Sequence, residues 1–336
     1  MTDNNPKPLF TFIVTNWNGE KFIARCLSSL ILSAINSHKS FEGIVVDDAS
    51  TDNSVNIIKN NFPTIKLLIN KHNSGFIAST NKGIESANSP LVALINNDIV
   101  VEPDFFIEIL KPFEEKSLKH QNNGENDAIN LTTKYGNVFG VSARAISWDT
   151  GEPNHLNMTA HFDNGEIILD FKDSKEISET FFVQGGAGIF QRDVFIKLGG
   201  FQSIFHPTYW DDYDLSYLAL KCGFKNLYQP SALVHHYGKG SLLYQLGDEG
   251  LKITIERNRF LFTWINLTDK NLILKHLLSL PLMISRSIIK DGNFSQLKAF
   301  LKALKRLPKA LKIRGARKKK LRFPLSDRDI LFLKKG

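Results

Sequence analysis

Three groups of carboxylates stand where this chain could do chemistry. Asp47-Asp48 closes the apolar run Gly43-Ile44-Val45-Val46 and leads into Ala49-Ser50-Thr51-Asp52. Asp98 closes Leu91-Val92-Ala93-Leu94-Ile95-Asn96-Asn97 in the same way. Asp211-Asp212-Tyr213-Asp214 follows the aromatics Tyr209 and Trp210. Short apolar runs bounded by polar residues read as buried parallel strands, and open α/β sheets bind ligands beyond the carboxyl ends of such strands. Two strands that deliver carboxylates to one edge predict a site for a nucleotide and a divalent cation. Crowded acids raise one another's pKa, so the third group suits a general base.

Each group also has a plainer reading. Asp, Ser and Thr after a strand cap helices and close turns, and acids in a first helical turn are favoured by the helix dipole. Pro103 fits as the first residue of a helix, which makes Glu102 its cap and leaves Asp98 without that task. Three acids among aromatics exceed what capping requires. A fourth candidate, His235-His236-Tyr237-Gly238-Lys239-Gly240-Ser241, ends another strand, where alternation turns only one of the two histidines toward a site.

The elements that must position these groups alternate. Strands are expected over 9–16, 43–47, 65–69 and 91–95, with helices over about 20–33, from about Asn53 (Asp52 its cap), over 76–87 and from Pro103. Four such alternations predict a right-handed βαβ wind and a parallel sheet. The polar, Asn-rich stretch Lys116–Lys134 reads as a surface loop. Short strands follow at 137–143, 166–170 and 181–190, then a helix over 211–222, strands at 224–228 and 232–236, and helix alone from about Leu242. The organisation expected is an α/β unit over 1–241 and a helical, basic extension over 242–336.

Composition narrows the class. Cys26 and Cys222 are the two cysteines of the 336 residues, too few for a disulfide framework and without metal-ligand spacing, as in a reducing compartment. The N-terminus has neither the charged region nor the apolar run of a signal peptide. The segment Phe260–Ile289 is apolar but broken by charges and Pro281, short of the roughly 18–20 apolar residues that span a bilayer. It reads as an amphipathic stretch lying on the protein or in a membrane interface. The net charge of +8 hides an asymmetry: from Gln296 onward 15 Lys and Arg face two acids, against 27 and 32 in the rest. Such a tail points to an anionic partner surface, membrane or nucleic acid.

Taken in order, several segments resemble the family 2 glycosyltransferases of GT-A fold, closest to bacterial non-processive, rhamnosyltransferase-like members. They are Ile13-Val14-Thr15-Asn16-Trp17-Asn18-Gly19, Val45–Asp52, Asn73-Ser74-Gly75 through Gly83, Asn96-Asn97-Asp98, Gly185-Gly186-Ala187-Gly188, Leu198-Gly199-Gly200-Phe201, Asp211–Leu215, and His236 with Gly238 and Ser241. The resemblance covers roughly residues 9–241 and leaves the basic tail outside. It implies a mostly parallel sheet with helices on both faces. It also implies that Asn16, Asp47, Asp48 and Asn96 hold a nucleotide-sugar, and that Asp98, with His236 as a further ligand, binds Mg²⁺ or Mn²⁺ on its diphosphate. Asp212 or its neighbour Asp211 would then deprotonate the acceptor hydroxyl for an inverting, in-line transfer. Asn96-Asn97-Asp98 departs from the family's Asp-x-Asp, and Asp211 stands where Glu is usual. The Gln-x-x-Arg-Trp motif of processive synthases is absent, which favours transfer of a single sugar.

The reading that follows is an inverting transferase acting on a glycan or lipid-linked acceptor in bacterial surface polysaccharide synthesis. It would be cytoplasmic and peripheral on the inner face of the cell membrane, with the tail on anionic lipid. One alternative is a nucleotidyltransferase of similar sheet, for which Asn16-Trp17-Asn18-Gly19-Glu20 is a poor phosphate loop. The other is a nucleic-acid-binding protein working through the tail, against which stand the acidic body and the lack of a nucleic-acid module.

Overall fold

In the computed structural model, residues 7–114, 132–238 and 241–331 are described. The first stretch forms β1 (Phe10–Asn16), α1 (Ile23–Asn36), β2 (Phe41–Asp47), α2 (Ser54–Asn61), β3 (Lys66–Ile69), α3 (Phe76–Ser86), β4 (Leu91–Asn96), β5 (Ile99–Val101) and α4 (Phe105–Glu114). The second contains β6 (Thr132–Thr133), β7 (Gly136–Ser147), β8 (Pro153–His155), β9 (Asn157–Asp163), β10 (Glu166–Lys172), β11 (Ser178–Glu179), β12 (Ala187–Gln191), α5 (Arg192–Lys197), α6 (Asp211–Lys221) and β13 (Lys225–His236). The third is helical: α7 (Ser241–Asn266), α8 (Lys270–Asp291), α9 (Ser295–Leu304), α10 (Leu307–Lys320) and α11 (Asp327–Leu331).

The main sheet runs β11-β13-β7-β12-β4-β1-β2-β3. Strands β3, β2, β1 and β4 are parallel, and β13 is parallel to β7. Strand β12 enters antiparallel between β4 and β7. The mixed α/β class expected from the alternation is what forms, because β1, β2 and β4 are buried along almost their whole length and need helices on both faces.

The second half departs from expectation in detail. The strand expected over 181–190 is only Ala187–Gln191, and the two strands expected at 224–228 and 232–236 are one, β13, with a register shift between Gln229 and Leu233 around Pro230. Proline lacks a ladder donor, so a bulge keeps one strand where punctuation suggested two. Helix α4 begins at Phe105, not at Pro103, and the Glu102 carboxylate turns to the His235 ring instead of capping. Lys116–Lys134 lies outside the described residues except for its last three.

The C-terminal helices share their core with the sheet. One buried cluster joins Ile13, Ile44 and Phe190 to Phe262, Ala303, Ala310 and Leu331. Two buried ion pairs pin the helices to α6. Arg317 of α10 donates from both terminal nitrogens to Asp214, at 2.7 and 2.6 Å, and Asn266 joins the pair. Lys221 donates to Asp327 at 2.7 Å, and Asp327 also accepts from the Tyr217 hydroxyl and two backbone N–H groups. Arg317 therefore belongs to the interior and is withdrawn from the cations the tail could offer to lipid. Among the described residues no helix is long and apolar enough to cross a membrane.

Removing one partner of a buried, bidentate pair strands the other charge. Arg317→Met should lower stability by about 3–5 kcal/mol, and Lys318→Met, on an exposed neighbour, by within about 0.5 kcal/mol. Urea unfolding followed by tryptophan fluorescence reads both. Equal midpoints for the two variants would show that the pair does not hold α10.

Candidate active site

At the carboxyl edge of the sheet, the ends of β1, β2 and β4 are tied into one polar network. Asn16, last in β1, donates to Asp47 at the end of β2 (2.8 Å) and to Ser54 (3.0 Å), and its own oxygen accepts from Asn97 (2.8 Å). Asp47 is fully buried and also accepts from the Ser50 N–H and hydroxyl. Asp48 is nearly as buried and accepts from Asn70 (2.7 Å) and from the backbone N–H groups of Ser74 (2.8 Å) and Gly75 (2.7 Å). Both carboxylates are thus engaged by loops: Asp47 holds the turn at Ser50, and Asp48 holds 70–75. The glycine at 75 has φ +86°, a left-handed turn that frees its N–H for Asp48.

After β4 the three residues Asn96-Asn97-Asp98 diverge. Asn97 faces Asn16 as above. Asn96 lies over Gly186, where an added Cβ would come 2.5 Å from the amide nitrogen. Asp98 turns toward β13, whose antiparallel pairing with β5 sets His236 beside Ile99. The His236 Nε2 stands 3.4 Å from an Asp98 oxygen, with both side chains partly exposed. Alternation does separate the two histidines: His235 pairs with Glu102, and Trp148 packs edge-on against its ring. The Trp148 ring also stacks on Tyr237 at 4.6 Å, under the Arg25 guanidinium.

The acidic cluster opens α6. Tyr209 and Trp210 precede it in left-handed backbone, each at φ 71°, a conformation that non-glycine residues adopt only where their surroundings impose it. Asp211 is buried and accepts from the Thr208 hydroxyl at 3.3 Å. Asp212 reaches the surface and accepts from the N–H of Gly185 (3.2 Å) and of Tyr213 (2.9 Å). Burial pushes both carboxyls up, Asp211 well above the usual range and Asp212 to about 6. Asp214 faces inward to Arg317 and takes no part in the cleft.

The Gly185-Gly186 segment joins the two halves. Its first N–H meets Asp212, and the carbonyl of its second residue accepts from the N–H of Asn96 at 3.0 Å. Asp212 and the strand-end residues 96–98 therefore sit on neighbouring peptide units. The two glycines thus tie the start of α6 to the end of β4.

At Asp98 and His236 the carboxylate oxygen suits Mg²⁺ or Mn²⁺, and the imidazole nitrogen, a softer donor, fits Mn²⁺ better than Mg²⁺. Among the described residues no group of three or more His, Cys, Asp or Glu converges as ligands. Protein ligation at this point is accordingly sparse. Sequence reasoning missed Asn97, Asn70 and the Glu102 pairing, since each partner is distant in the chain and of a residue type common in loops.

Residues 11–199 match the profile of Glycosyl transferase family 2. The chain is 32% identical over 108 residues to the glycosyltransferase GlyA of Streptococcus pneumoniae, a match covering 31% of this chain and 15% of GlyA. Among solved structures, GalNAc-T7 with UDP, GalNAc and Mn²⁺ aligns with 96% of this chain and 59% of its own at a TM-score of 0.55 and 15% identity. A mannosyltransferase from Pyrobaculum calidifontis, in complex with GDP-Man and Mn²⁺, aligns with 94% of this chain and 81% of its own at a TM-score of 0.50 and 13% identity. The fold is that of the GT-A enzymes. With more than half of its length inside the family profile, the chain belongs to glycosyl transferase family 2.

Proposed function

We propose that this chain moves one sugar, with inversion, from a nucleoside-diphosphate sugar to a hydroxyl of a glycan or lipid-linked acceptor in bacterial surface polysaccharide synthesis. The observation that carries this reading is the Gly185-Gly186 bridge, which sets Asp212 beside the end of β4. Residues 1–241 would form the transfer unit and 242–336 the helical extension that supports it.

In this reading Asn16 and Asn96 border the nucleotide, and Asp47 and Asp48 shape its pocket by holding the turn at Ser50 and loop 70–75. Asp98 and His236 would hold Mg²⁺ or Mn²⁺, and the two solved neighbours contain Mn²⁺. When bound, the ion offsets the charge of the departing nucleoside diphosphate. Asp212 takes the proton of the acceptor hydroxyl as that oxygen attacks the anomeric carbon. Burial and the neighbouring Asp212 charge push the Asp211 carboxyl up, which favours charge on Asp212. The nucleotidyltransferase alternative gains no support, since the loop after β1 is closed onto the loop before α2: Asn18 accepts from the Thr51 N–H, and Glu20 from the Asn53 N–H.

The surface of the helical extension supports a membrane-borne acceptor. Leu274, Leu277, Leu278, Leu282 and Ile289 of α8 are each at least half exposed, and Lys302, Lys305, Lys312 and Lys318–Lys320 face solvent on α9 and α10. Exposed apolar side chains and lysines on these helices suit an anionic bilayer surface on the cytoplasmic side, each near-surface cation contributing on the order of 1 kcal/mol.

Three outcomes are expected. Asp98→Ala abolishes transfer while leaving the unfolding midpoint within error, and near wild-type turnover in saturating Mn²⁺ would remove Asp98 from the metal site. A protonated carboxyl cannot accept a proton, so kcat/KM should fall with unit slope as pH drops below about 6, the value to which burial raises Asp212. Asp212→Asn should erase that limb and cost roughly 10²-fold or more in turnover. A greater loss in Asp211→Asn would move the role to its neighbour. Sedimentation with anionic liposomes should weaken with salt and with glutamate at Lys302, Lys305, Lys312, Lys318, Lys319 and Lys320. Truncation before α9 would be a poor test, because Arg317 and Asp327 are structural. Equal sedimentation with neutral vesicles would reject the docking surface.

A further inference from the structure

We infer that Asn258, assisted by Arg257 and Arg306, is a positioning residue for the base, holding segment 204–210 so that α6 starts with Asp212 at the glycine bridge. The inference rests on the assignment of Asp212 as base. It concerns how the helical extension reaches into the chemistry without touching substrate.

Segment 204–210 turns the chain from α5 into α6 and ends in the left-handed pair Tyr209-Trp210. Backbone of that kind relaxes unless its carbonyls are held. Here five carbonyls are held, all from the extension. Asn258 of α7, fully buried, donates from Nδ2 to the carbonyls of Phe205 (2.8 Å), Thr208 (2.9 Å) and Tyr209 (2.9 Å). Arg257 Nη2 donates to the carbonyl of His206 at 2.7 Å. Arg306, at the junction of α9 and α10, donates to the carbonyl of Ile204 at 2.6 Å.

The amide of Asn258 has only one orientation that works. Its oxygen accepts from Arg257 Nε (2.9 Å) and Nη2 (2.8 Å), so its nitrogen must face the three carbonyls. An amide supplies both a donor and an acceptor end, and no carboxylate or aliphatic side chain of similar size can serve both sides. The Thr208 hydroxyl, between two of the held carbonyls, is itself the donor to Asp211. The clamp thus runs from α7 through 205–209 to the acidic pair within a few residues.

Removing the clamp should let the loop relax by a fraction of an ångström to an ångström, a displacement able to cost up to about 10²-fold in rate. The experiment is a double-mutant cycle on hydrolysis of whichever of UDP-, dTDP- or GDP-sugars the enzyme turns over. Asn258→Ala is expected to lower kcat roughly 10- to 100-fold, with donor KM within about twofold. Asn258→Asp, isosteric but lacking the donor end, should do at least as much damage. In the Asp212→Asn background the same change should cost less than about threefold, since a residue acting through Asp212 has nothing left to position. The acid limb of the pH profile should also move in Asn258→Ala, because the burial that sets it changes. A purely structural residue would lower active enzyme at every pH and leave the limb in place.

Losses that multiply in the cycle, or an unmoved limb, would overturn the positioning role. Full activity in Asp212→Asn would instead overturn the base assignment, a separate arm of the same cycle. If Asn258→Ala does not fold, Arg306→Ala removes the contacts of a partly exposed side chain to the carbonyls of Ile204 and His206. It should show the same limb shift with roughly a 3- to 10-fold fall in kcat, and an unmoved limb there would equally reject the clamp.

Discussion

The salt bridge between Asp214 and Arg317 is the constraint on which much of the molecule depends. Asp214 lies one turn into α6, two residues beyond Asp212, and is fully buried. A carboxylate in that position destabilises the fold unless a cation meets it with matching geometry. The cation comes from α10, more than a hundred residues later, as a planar fork that contacts both oxygens. The other end of α6 repeats the arrangement with inverted sign, Lys221 buried against Asp327 of α11. The helix that presents the acids therefore reaches its resting place only when α10 and α11 are also in theirs. The extension completes the transfer unit in a physical sense, although the family profile ends at residue 199.

Glycine supplies the second constraint, on the opposite wall of the cleft. At Gly186 a Cβ would strike the Asn96 amide, and at Gly185 it would stand 3.1 Å from the Phe201 ring and 3.4 Å from the Asp212 Cβ. Only a backbone without side chains lets the end of β4 and the start of α6 approach so closely. The two constraints oppose each other usefully: buried charge fixes α6 from behind, and bare backbone lets its front meet the sheet. Carboxylates at the end of β2 then act at a distance, since Asp47 and Asp48 use their oxygens to hold loops.

Local physics explains which parts were legible in the sequence. Strands β1, β2 and β4 announced themselves because a strand buried on both faces must be apolar along its length. The acids after β2 and β4 stood out because two strands bring carboxylates to one edge, and those at 211–214 because capping does not require so many. Less legible were features that depend on partners far along the chain. Glu102 read as a cap because Pro103 follows it, yet its partner is His235. Pro230 read as a break between strands, yet a bulge carries β13 past it. The roles of Arg257 and Asn258 had no local sign at all, since an Arg-Asn pair on an amphipathic helix is unremarkable until the loop it faces is known.

The basic tail shows the same point through its two kinds of cation. Arg306, Arg314 and Arg317 turn inward, to the carbonyls of Ile204 and Trp264 and to the Asp214 carboxylate, whereas Arg322 stays exposed and Arg328 meets Asp269 at the surface. Lys302, Lys305, Lys312 and Lys318–Lys320 all face solvent. Solvation favours this choice for the three inward arginines. A guanidinium is weakly hydrated and presents several donors in a plane, so it can leave water for a set of fixed acceptors, whereas an ammonium is held by its hydration. Counting charge along the sequence treats the two as equal and overstates what the tail can offer a partner. Sorting them by their surroundings separates the inward arginines, which hold α6 and the loop before it, from the cations left in water.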